Sequence, residues 1–126
     1  MARPSEHSPA TRPLPAEEAA QLAEAISAFS AASRVRLLWA MLPGERSVEE
    51  LSTATEMTQS ATSQQLRVLR EARLVKVRRQ GRHSFYSLYD HHVPELLAAL
   101  RHHYEHLEHE KRRTRQRRGV SEAAIS

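Results

Sequence analysis

The chain has 126 residues, a formal net charge of +4 and no cysteine. This length suits one domain with a real core rather than two, and the lack of thiols excludes disulfides and thiolate metal sites. We find no apolar run resembling a secretion signal or a membrane span, so we expect a cytoplasmic protein without a membrane partner.

The charges fall into blocks along the chain. Residues 60–82 carry a net +6 (seven basic residues against Glu71), residues 83–110 carry −4 (Arg101 against five acidic residues), and residues 111–118 carry +6. A positive block in mid-chain fits a surface that faces phosphates, and an acidic block rich in histidine fits the attraction of a cation. The two halves of the chain therefore predict different partners.

The first half of the chain predicts helices. Residues 1–15 contain four prolines among polar residues and predict a disordered arm. Apolar spacing predicts helices over 16–29 and 33–42, the second ended by Pro43 and Gly44.

A pair of short helices follows. Ser47 with Glu50 three residues later matches a capping box, which predicts a helix to about residue 54. Thr58 or Ser60 begins the next helix, which runs to about Leu74. Two short helices joined by three or four residues form a helix-turn-helix.

The second half predicts a hairpin and a last helix. Residues 75–79 and 84–89 are rich in strand formers and flank a Gln-Gly-Arg turn, as in the wing of a winged helix. Pro94 fits only the first turn of a helix, which places the start of the last helix at residues 91–93. We expect a mainly α winged helix-turn-helix over residues 16–110, followed by a basic flexible tail over 111–126.

Asp90, His92, His103 and His106 form the pattern D-x-H, then ten residues, then H-x-x-H. Each pair has its two side chains on one helix face, but His92 and His103 are roughly 16 Å apart along a helix axis. One metal ion with ligands at about 2.0–2.2 Å cannot reach both pairs. An antiparallel copy would bring one chain's first pair to the other chain's second pair, which predicts a homodimer with two equivalent interchain sites.

Three imidazoles and one carboxylate suit Zn(II) or Co(II) in tetrahedral geometry. Ni(II) prefers more ligands, and the chain offers further histidines for a larger set. These possible additional donors are His91, His102, His109 and, on the arm, His7. Zn(II) or Co(II) is the favoured inducer, with Ni(II) as the alternative.

Residues 48–90 resemble the ArsR/SmtB family of bacterial winged-helix, metal-responsive repressors. The resemblance rests on T-Q-S-x-x-S-x-x-L from Thr58 and R-R-x-G-R-x-x-x-Y-x-L from Arg78, and it extends over about residues 16–110. The chain departs from the family where a glycine is common, at Arg73, and it lacks the cysteine motif that some members carry on the third helix. That absence excludes sensing through sulfur.

The resemblance implies a site and a mechanism. Asp90 and His92 of one subunit would bind metal together with His103 and His106 of the other, as in the branch that senses zinc, cobalt or nickel. The resemblance also suggests a hydrogen bond from His103 to a backbone carbonyl near Arg73. This bond would link metal binding to the helix that follows Thr58, the second helix of the helix-turn-helix. The dimer without metal would repress, and the metal-bound dimer would leave the DNA.

DNA recognition is expected from the helix that follows Thr58 and from the wing. The N-terminal residues of a recognition helix enter the major groove, and wing residues contact the backbone or the minor groove. A homodimer then requires a pseudo-palindromic double-stranded operator. The candidate DNA-binding residues are Gln59, Ser60, Ser63, Gln64, Arg67, Arg79 and Arg82.

Two other functions are compatible with part of this pattern. A metalloenzyme is disfavoured because all four donors would be ligands, which leaves no open coordination position and no base, so we expect neither catalysis nor a small organic substrate. A winged-helix regulator with a non-metal inducer and incidental histidines is the stronger competitor. Replacing His103 and His106 by alanine separates it from a metal sensor.

Overall fold

The computed structural model describes the backbone of residues 12–125 and the side chains of residues 12–120. Five helices and three strands follow one another in this part of the chain. Their order is α1 (Ala16–Ser27), α2 (Ala32–Ala40), β1 (Arg46–Ser47), α3 (Val48–Thr55), α4 (Gln59–Glu71), β2 (Val75–Gln80), β3 (His83–Leu88) and α5 (His92–Ile125).

The expected winged helix-turn-helix is present, and local sequence signals set the limits of its helices. Ser47 caps α3 by accepting from the Glu50 backbone N–H at 3.1 Å, and the Glu50 carboxylate accepts from the Ser47 backbone N–H at 3.2 Å. The reciprocal bonds satisfy two N–H groups at the start of the helix. Thr58 caps α4 by accepting from the Ala61 N–H at 3.1 Å. α3 and α4 therefore begin where the sequence predicts, whereas α4 ends at Glu71, before the expected Leu74.

The sheet contains one strand that the sequence did not predict. β2 and β3 form the antiparallel wing hairpin, with Val75 opposite Leu88 and Gln80 opposite His83. β1 is only two residues long and pairs with the other side of β3, so that the strand order is β1-β3-β2. It anchors the base of the wing beside the start of α3.

The core lies between α2, α3, α4 and the base of the wing. Among the side chains described, α5 adds two buried ones to this core, Leu97, which is fully buried, and Val93, which is 5% exposed. α1 has no buried residue. The fully buried apolar side chains with the largest volumes are Leu37, Leu38, Met41, Leu51, Leu66, Leu69, Leu97 and Val75.

The bounds of the helices differ from the predicted bounds mainly in α5, at the C-terminal end of the chain. α1 and α2 are each somewhat shorter than the predicted 16–29 and 33–42. α5 does not end near residue 110 but continues to Ile125, so residues 111–125, expected as a flexible tail, are helical. Of the expected N-terminal arm, residues 1–11 lie outside the described residues.

Large apolar side chains of α1 and α5 are exposed in the single chain. Beside them is a groove of about 500 Å³ between α2 and α5, lined by Trp39, Leu100, Tyr104 and neighbouring residues. No helix in the described range is both long and apolar enough to cross a membrane. The exposed large apolar residues of α1 and α5 are Leu22, Ile26, Leu96, Leu100, Tyr104, Leu107 and Val120.

Candidate functional site

Asp90 and His92 are in direct contact at the start of α5. One carboxylate oxygen of Asp90 accepts from the His92 backbone N–H at 2.9 Å, and the other lies 3.2 Å from His92 Nδ1. The hydrogen bond from the His92 side chain, followed by the one from its backbone, lowers the pKa of Asp90. The first expected pair of donors is therefore formed, and Asp90 also caps the helix, a role that the sequence analysis missed.

His103 and His106 lie on α5, and both are exposed. Their spacing of three residues places them on one face of the helix. His106 Nε2 is 3.3 Å from Glu110 Oε1, a carboxylate that can orient this imidazole. The second expected pair is thus available at the surface.

The structure does not bring the two pairs together within one chain. No group of three or more metal-binding side chains forms within the described residues. The reason is the rigid helix between them, which separates His92 from His103 by roughly 16 Å. A site with all four ligands would need donors from a second chain.

The further histidines are arranged unevenly. The His91 and His92 rings are 4.0 Å apart between centroids, so His91 is close to the first pair. His102 and His109 are exposed elsewhere on α5. His7 lies outside the described residues.

α4 presents a polar face to solvent. Thr62, Leu66 and Leu69 are buried and fix the rotation of the helix against the core. The candidate DNA-binding residues of α4 lie outside this buried face, and all of them are exposed: Gln59, Ser60, Ser63, Gln64 and Arg67. Arg67 is paired with Glu71 at 3.2 Å in a solvent-exposed contact, which stabilises the helix only slightly.

The wing carries three arginines with different environments. Arg79 and Arg82 are exposed near the hairpin turn, where Gly81 has φ +60°. Arg78 binds Glu45 with its closest contact at 2.6 Å and lies 4.7 Å from the centre of the Phe85 ring. Arg78 therefore holds the wing to the loop before β1, while Arg79 and Arg82 remain the candidates for DNA contact.

Arg73 adopts a left-handed backbone conformation, with φ +58°. The Leu74 N–H donates to the Leu69 carbonyl at 2.9 Å, and the Arg73 N–H donates to the Arg70 carbonyl at 3.0 Å, which closes the end of α4. Glycine is favoured at such a position because it has no Cβ. Among the hydrogen bonds described within one chain, none joins His103 to the backbone near Arg73, so this expected link stays a prediction.

Comparisons with known proteins agree with this architecture. The sequence model described as "Bacterial regulatory protein, arsR family" matches residues 32–77. A transcriptional repressor SmtB homolog from Synechocystis is 44% identical over 71% of this chain and 67% of its own. The transcriptional regulator NmtR from Mycobacterium tuberculosis is 45% identical over 75% of this chain and 79% of its own.

The chain belongs to the ArsR family of bacterial regulatory proteins. A solution structure of a homodimeric winged helix-turn-helix DNA-binding domain from Mycobacterium bovis is also similar to it. That structure has a TM-score of 0.68 and 28% identity, and the match covers 83% of this chain and 91% of the other. This ArsR-family protein is therefore a transcriptional repressor of the SmtB and NmtR type and not an enzyme.

The family match does not extend to the metal candidates of this ArsR-family protein. Residues 32–77 include the helix-turn-helix and the start of the wing, whereas the four donors begin at Asp90. A metal site is therefore supported only by the positions of these donors at the start of α5 and further along it.

Proposed function

We propose that this ArsR-family protein is a metal-responsive repressor that binds operator DNA as a homodimer and leaves it when Zn(II) or Co(II) binds. Each of two equivalent sites consists of Asp90 and His92 from one chain and His103 and His106 from the other. The observation that carries this proposal is the division of four donors into two exposed pairs on one helix, too far apart for a single ion.

The donor set fits a borderline divalent ion. Three imidazole nitrogens and one carboxylate oxygen form a tetrahedral set that suits zinc and also accepts cobalt. Asp90 and His92 already lie within 3.2 Å of each other, so the first pair needs little rearrangement to converge. Glu110 holds the His106 ring from outside the pair.

The exposed apolar residues of α1 and α5 support the homodimer. Leu96, Leu100, Tyr104 and Leu107 are 40–63% exposed in the single chain. Leu96 and Leu100 lie between the two donor pairs, and Tyr104 and Leu107 lie beside the second pair. Burying this stripe against a second copy of α5 would remove apolar surface from water. In the antiparallel arrangement it would also bring the donor pairs of the two chains together.

Release from DNA requires that metal favour one arrangement of the dimer over another. A bound ion would join the start of one α5 helix to the distal donor pair of the other. His103, one of the distal donors, is the residue that we propose to contact the backbone near Arg73. This backbone follows α4, the proposed recognition helix. A coupling of about 1–3 kcal/mol between metal and DNA binding weakens operator affinity by roughly 5–150-fold.

The recognition surface consists of the exposed face of α4 and the tip of the wing. Gln59, Ser60, Ser63, Gln64 and Arg67 offer hydrogen-bonding groups to base edges and phosphates, and Gln can pair with adenine. Arg79 and Arg82 add contacts from the wing. Two such surfaces in a dimer require a pseudo-palindromic operator.

A mixed-dimer experiment tests the interchain site. One variant carries Asp90→Asn and His92→Ala, and the other carries His103→Ala and His106→Ala. Asn keeps a side-chain oxygen that can cap the start of α5, so the helix is preserved. Each variant alone has no intact site, whereas a mixed dimer has one site with all four ligands.

We expect Co(II) to bind tightly to the mixed dimer, at one ion per dimer, and to neither parent variant. The absorption spectrum of the cobalt form reports the geometry, with intense visible bands for four ligands and weak ones for six. A His102→Ala and His109→Ala variant is the control for the other histidines of α5. If the native protein shows weak bands, and if the His102→Ala and His109→Ala substitutions change them, the result would support the Ni(II) alternative.

Operator binding by the same proteins tests the regulatory role. We expect metal to weaken operator affinity of the native chain by roughly 5–150-fold and to have no such effect on the His103→Ala and His106→Ala variant. Unchanged release of that variant by metal would contradict the proposed site. If metal does not change the operator affinity of the native chain, a non-metal inducer is favoured.

A further inference from the structure

The C-terminal part of α5 extends well beyond the core. α5 contains 34 residues, a length of about 51 Å. Leu97 is the last buried side chain on it among those described. The C-terminal basic segment, residues 111–118 with the sequence K-R-R-T-R-Q-R-R, lies in this extension, and all of its side chains are exposed.

The basic segment does not continue the apolar stripe of α5. Leu100, Tyr104 and Leu107 lie along one side of the helix at spacings of four and three residues, and Lys111 and Arg115 follow on that side at spacings of four. Arginine and lysine side chains of two like-charged segments would repel each other and resist desolvation. A second copy of this segment is therefore a poor partner for it.

Electrostatic repulsion within the segment also favours an external anion. Lys111 and Arg115, and likewise Arg113 and Arg117, are like charges at i,i+4, which destabilises an isolated helix. Lys111 is 3.4 Å from Glu108. Within residues 12–120, no carboxylate forms an ion pair with Arg112, Arg113, Arg115 or Arg117.

The segment lacks the apolar side chains that a membrane-surface helix needs. Such helices bury an apolar face among the lipid acyl chains, whereas residues 111–118 consist only of Lys, Arg, Thr and Gln. At about 100° per residue the cations surround the helix on every side. Contacts to nucleic acid phosphates need only such positive charges and no apolar face.

We propose that the C-terminal basic segment binds the phosphate backbone of DNA that flanks the operator. This inference rests on the proposed operator binding and adds a second contact outside the recognition helix and wing. The segment contributes affinity without sequence preference, because arginine contacts to phosphates carry no base information. Neutralising its repulsion also stabilises the helix on DNA.

The test uses the full-length chain with Arg112, Arg113, Arg115 and Arg117 all changed to Gln, which keeps a good helix former at each position. The matched control changes the same four residues to Lys and so retains the charge. A second control, Arg101→Gln, removes one charge from α5 before the segment. Operator affinity is measured against salt concentration on a duplex trimmed to the operator and on one with about 15 added base pairs on each side.

We expect the native chain and the lysine control to bind the long duplex more tightly than the trimmed one. The glutamine variant should lose this difference, and the slope of log affinity against log salt on the long duplex should become shallower by about 0.9 for each lost phosphate contact. For a dimer with two segments that is a change of roughly 2 to 7. The preference for operator over scrambled sequence should be unchanged.

An unchanged salt slope in the glutamine variant overturns the proposal. A loss of operator affinity that is equal on the long and the trimmed duplex also overturns it. The proposal fails as well if the segment binds anionic phospholipid vesicles and the length of the duplex has no effect on DNA binding. The metal-induced loss of operator affinity is measured in parallel on the same proteins. If that loss is absent while the slope changes as expected, the metal-sensing proposal fails and the DNA-flank contact stands.

Discussion

At the scale of single residues, Arg73 occupies a position that its side chain disfavours. Its φ of +58° ends α4 in the left-handed region, where a residue with a Cβ is strained by roughly 1–2 kcal/mol. The sequence marked this position as a departure from the family, because glycine is common there. The structure supplies the physical reason for that preference.

We predict that Arg73→Gly raises the free energy of unfolding by about 1 kcal/mol, because glycine adopts this conformation without strain. Urea denaturation, monitored by circular dichroism, measures this change. We expect a higher urea concentration at the midpoint and an unchanged dependence of the unfolding free energy on urea concentration. The control is Ala72→Gly, one residue earlier at φ −79°, which should lower stability by up to about 1 kcal/mol. Destabilisation by both substitutions would show that the Arg73 side chain offsets the strain.

At the scale of elements, local signals were predictable and distant contacts were not. The capping box joins Ser47 to Glu50, only three residues later, and could be recognised in the sequence. β1 was missed because two residues have no pattern of their own, and it forms only through pairing with β3. The contact between Arg78 and Glu45 joins positions 33 residues apart, which no spacing rule anticipates.

The same division applies to the candidate site. The spacing of Asp90, His92, His103 and His106 was sufficient to predict two separate pairs, one at the start of α5 and one further along it. The capping role of Asp90 was missed because the helix start could be placed only within residues 91–93, and a cap depends on the exact first residue. The helical extension to Ile125 was missed because composition alone did not distinguish a frayed end from a continued helix.

The wing should become less stable in acid through Glu45. Hydrogen bonds from Arg78 lower the pKa of Glu45. A carboxylate whose pKa is lowered in the folded state stabilises the fold at pH values above its ordinary pKa of 4.5. This contribution is lost as pH falls through the pKa of the folded state. We therefore predict that Glu45→Gln lowers stability at pH 7 and that the difference from the native chain shrinks between about pH 5 and pH 3.

Urea denaturation at a series of pH values measures this difference. Glu17→Gln on α1 removes the same charge far from the wing and serves as the control for net charge. A deficit of the Glu45→Gln variant that remains constant from pH 7 to pH 3 would mean that the carboxylate stabilises the wing through packing rather than charge. The Arg78 stacking on Phe85 remains in both variants and does not confound the comparison.

At the scale of the whole molecule, α5 carries an exposed apolar stripe and two charged regions to which we assign different tasks. The acidic and histidine-rich part lies around it, and the basic segment follows it. In the proposed antiparallel dimer the stripe is buried and the donor pairs are aligned, while the basic segments would project past the partner's helix. The proposed dimer contact, metal site and DNA-flank contact would thus all depend on this one helix.

We predict that Leu100→Glu dissociates the homodimer while the single chain remains folded. Leu100 is 46% exposed in the single chain, so the substitution costs the isolated fold little. In a dimer it removes two buried leucines, each worth about 1.5–3 kcal/mol, and weakens dimerisation roughly 100-fold or more. Sedimentation equilibrium measures the dimer constant, and circular dichroism checks the fold.

Ala98→Glu is the matched control, because it places the same charge on an exposed position about 200° around α5 from Leu100. We expect it to leave the dimer constant within a few-fold of the native value. Leu100→Glu should also abolish tight Co(II) binding, since neither donor pair can hold the ion alone. A folded Leu100→Glu monomer that still binds Co(II) with three or four protein ligands would show that one chain can complete the site.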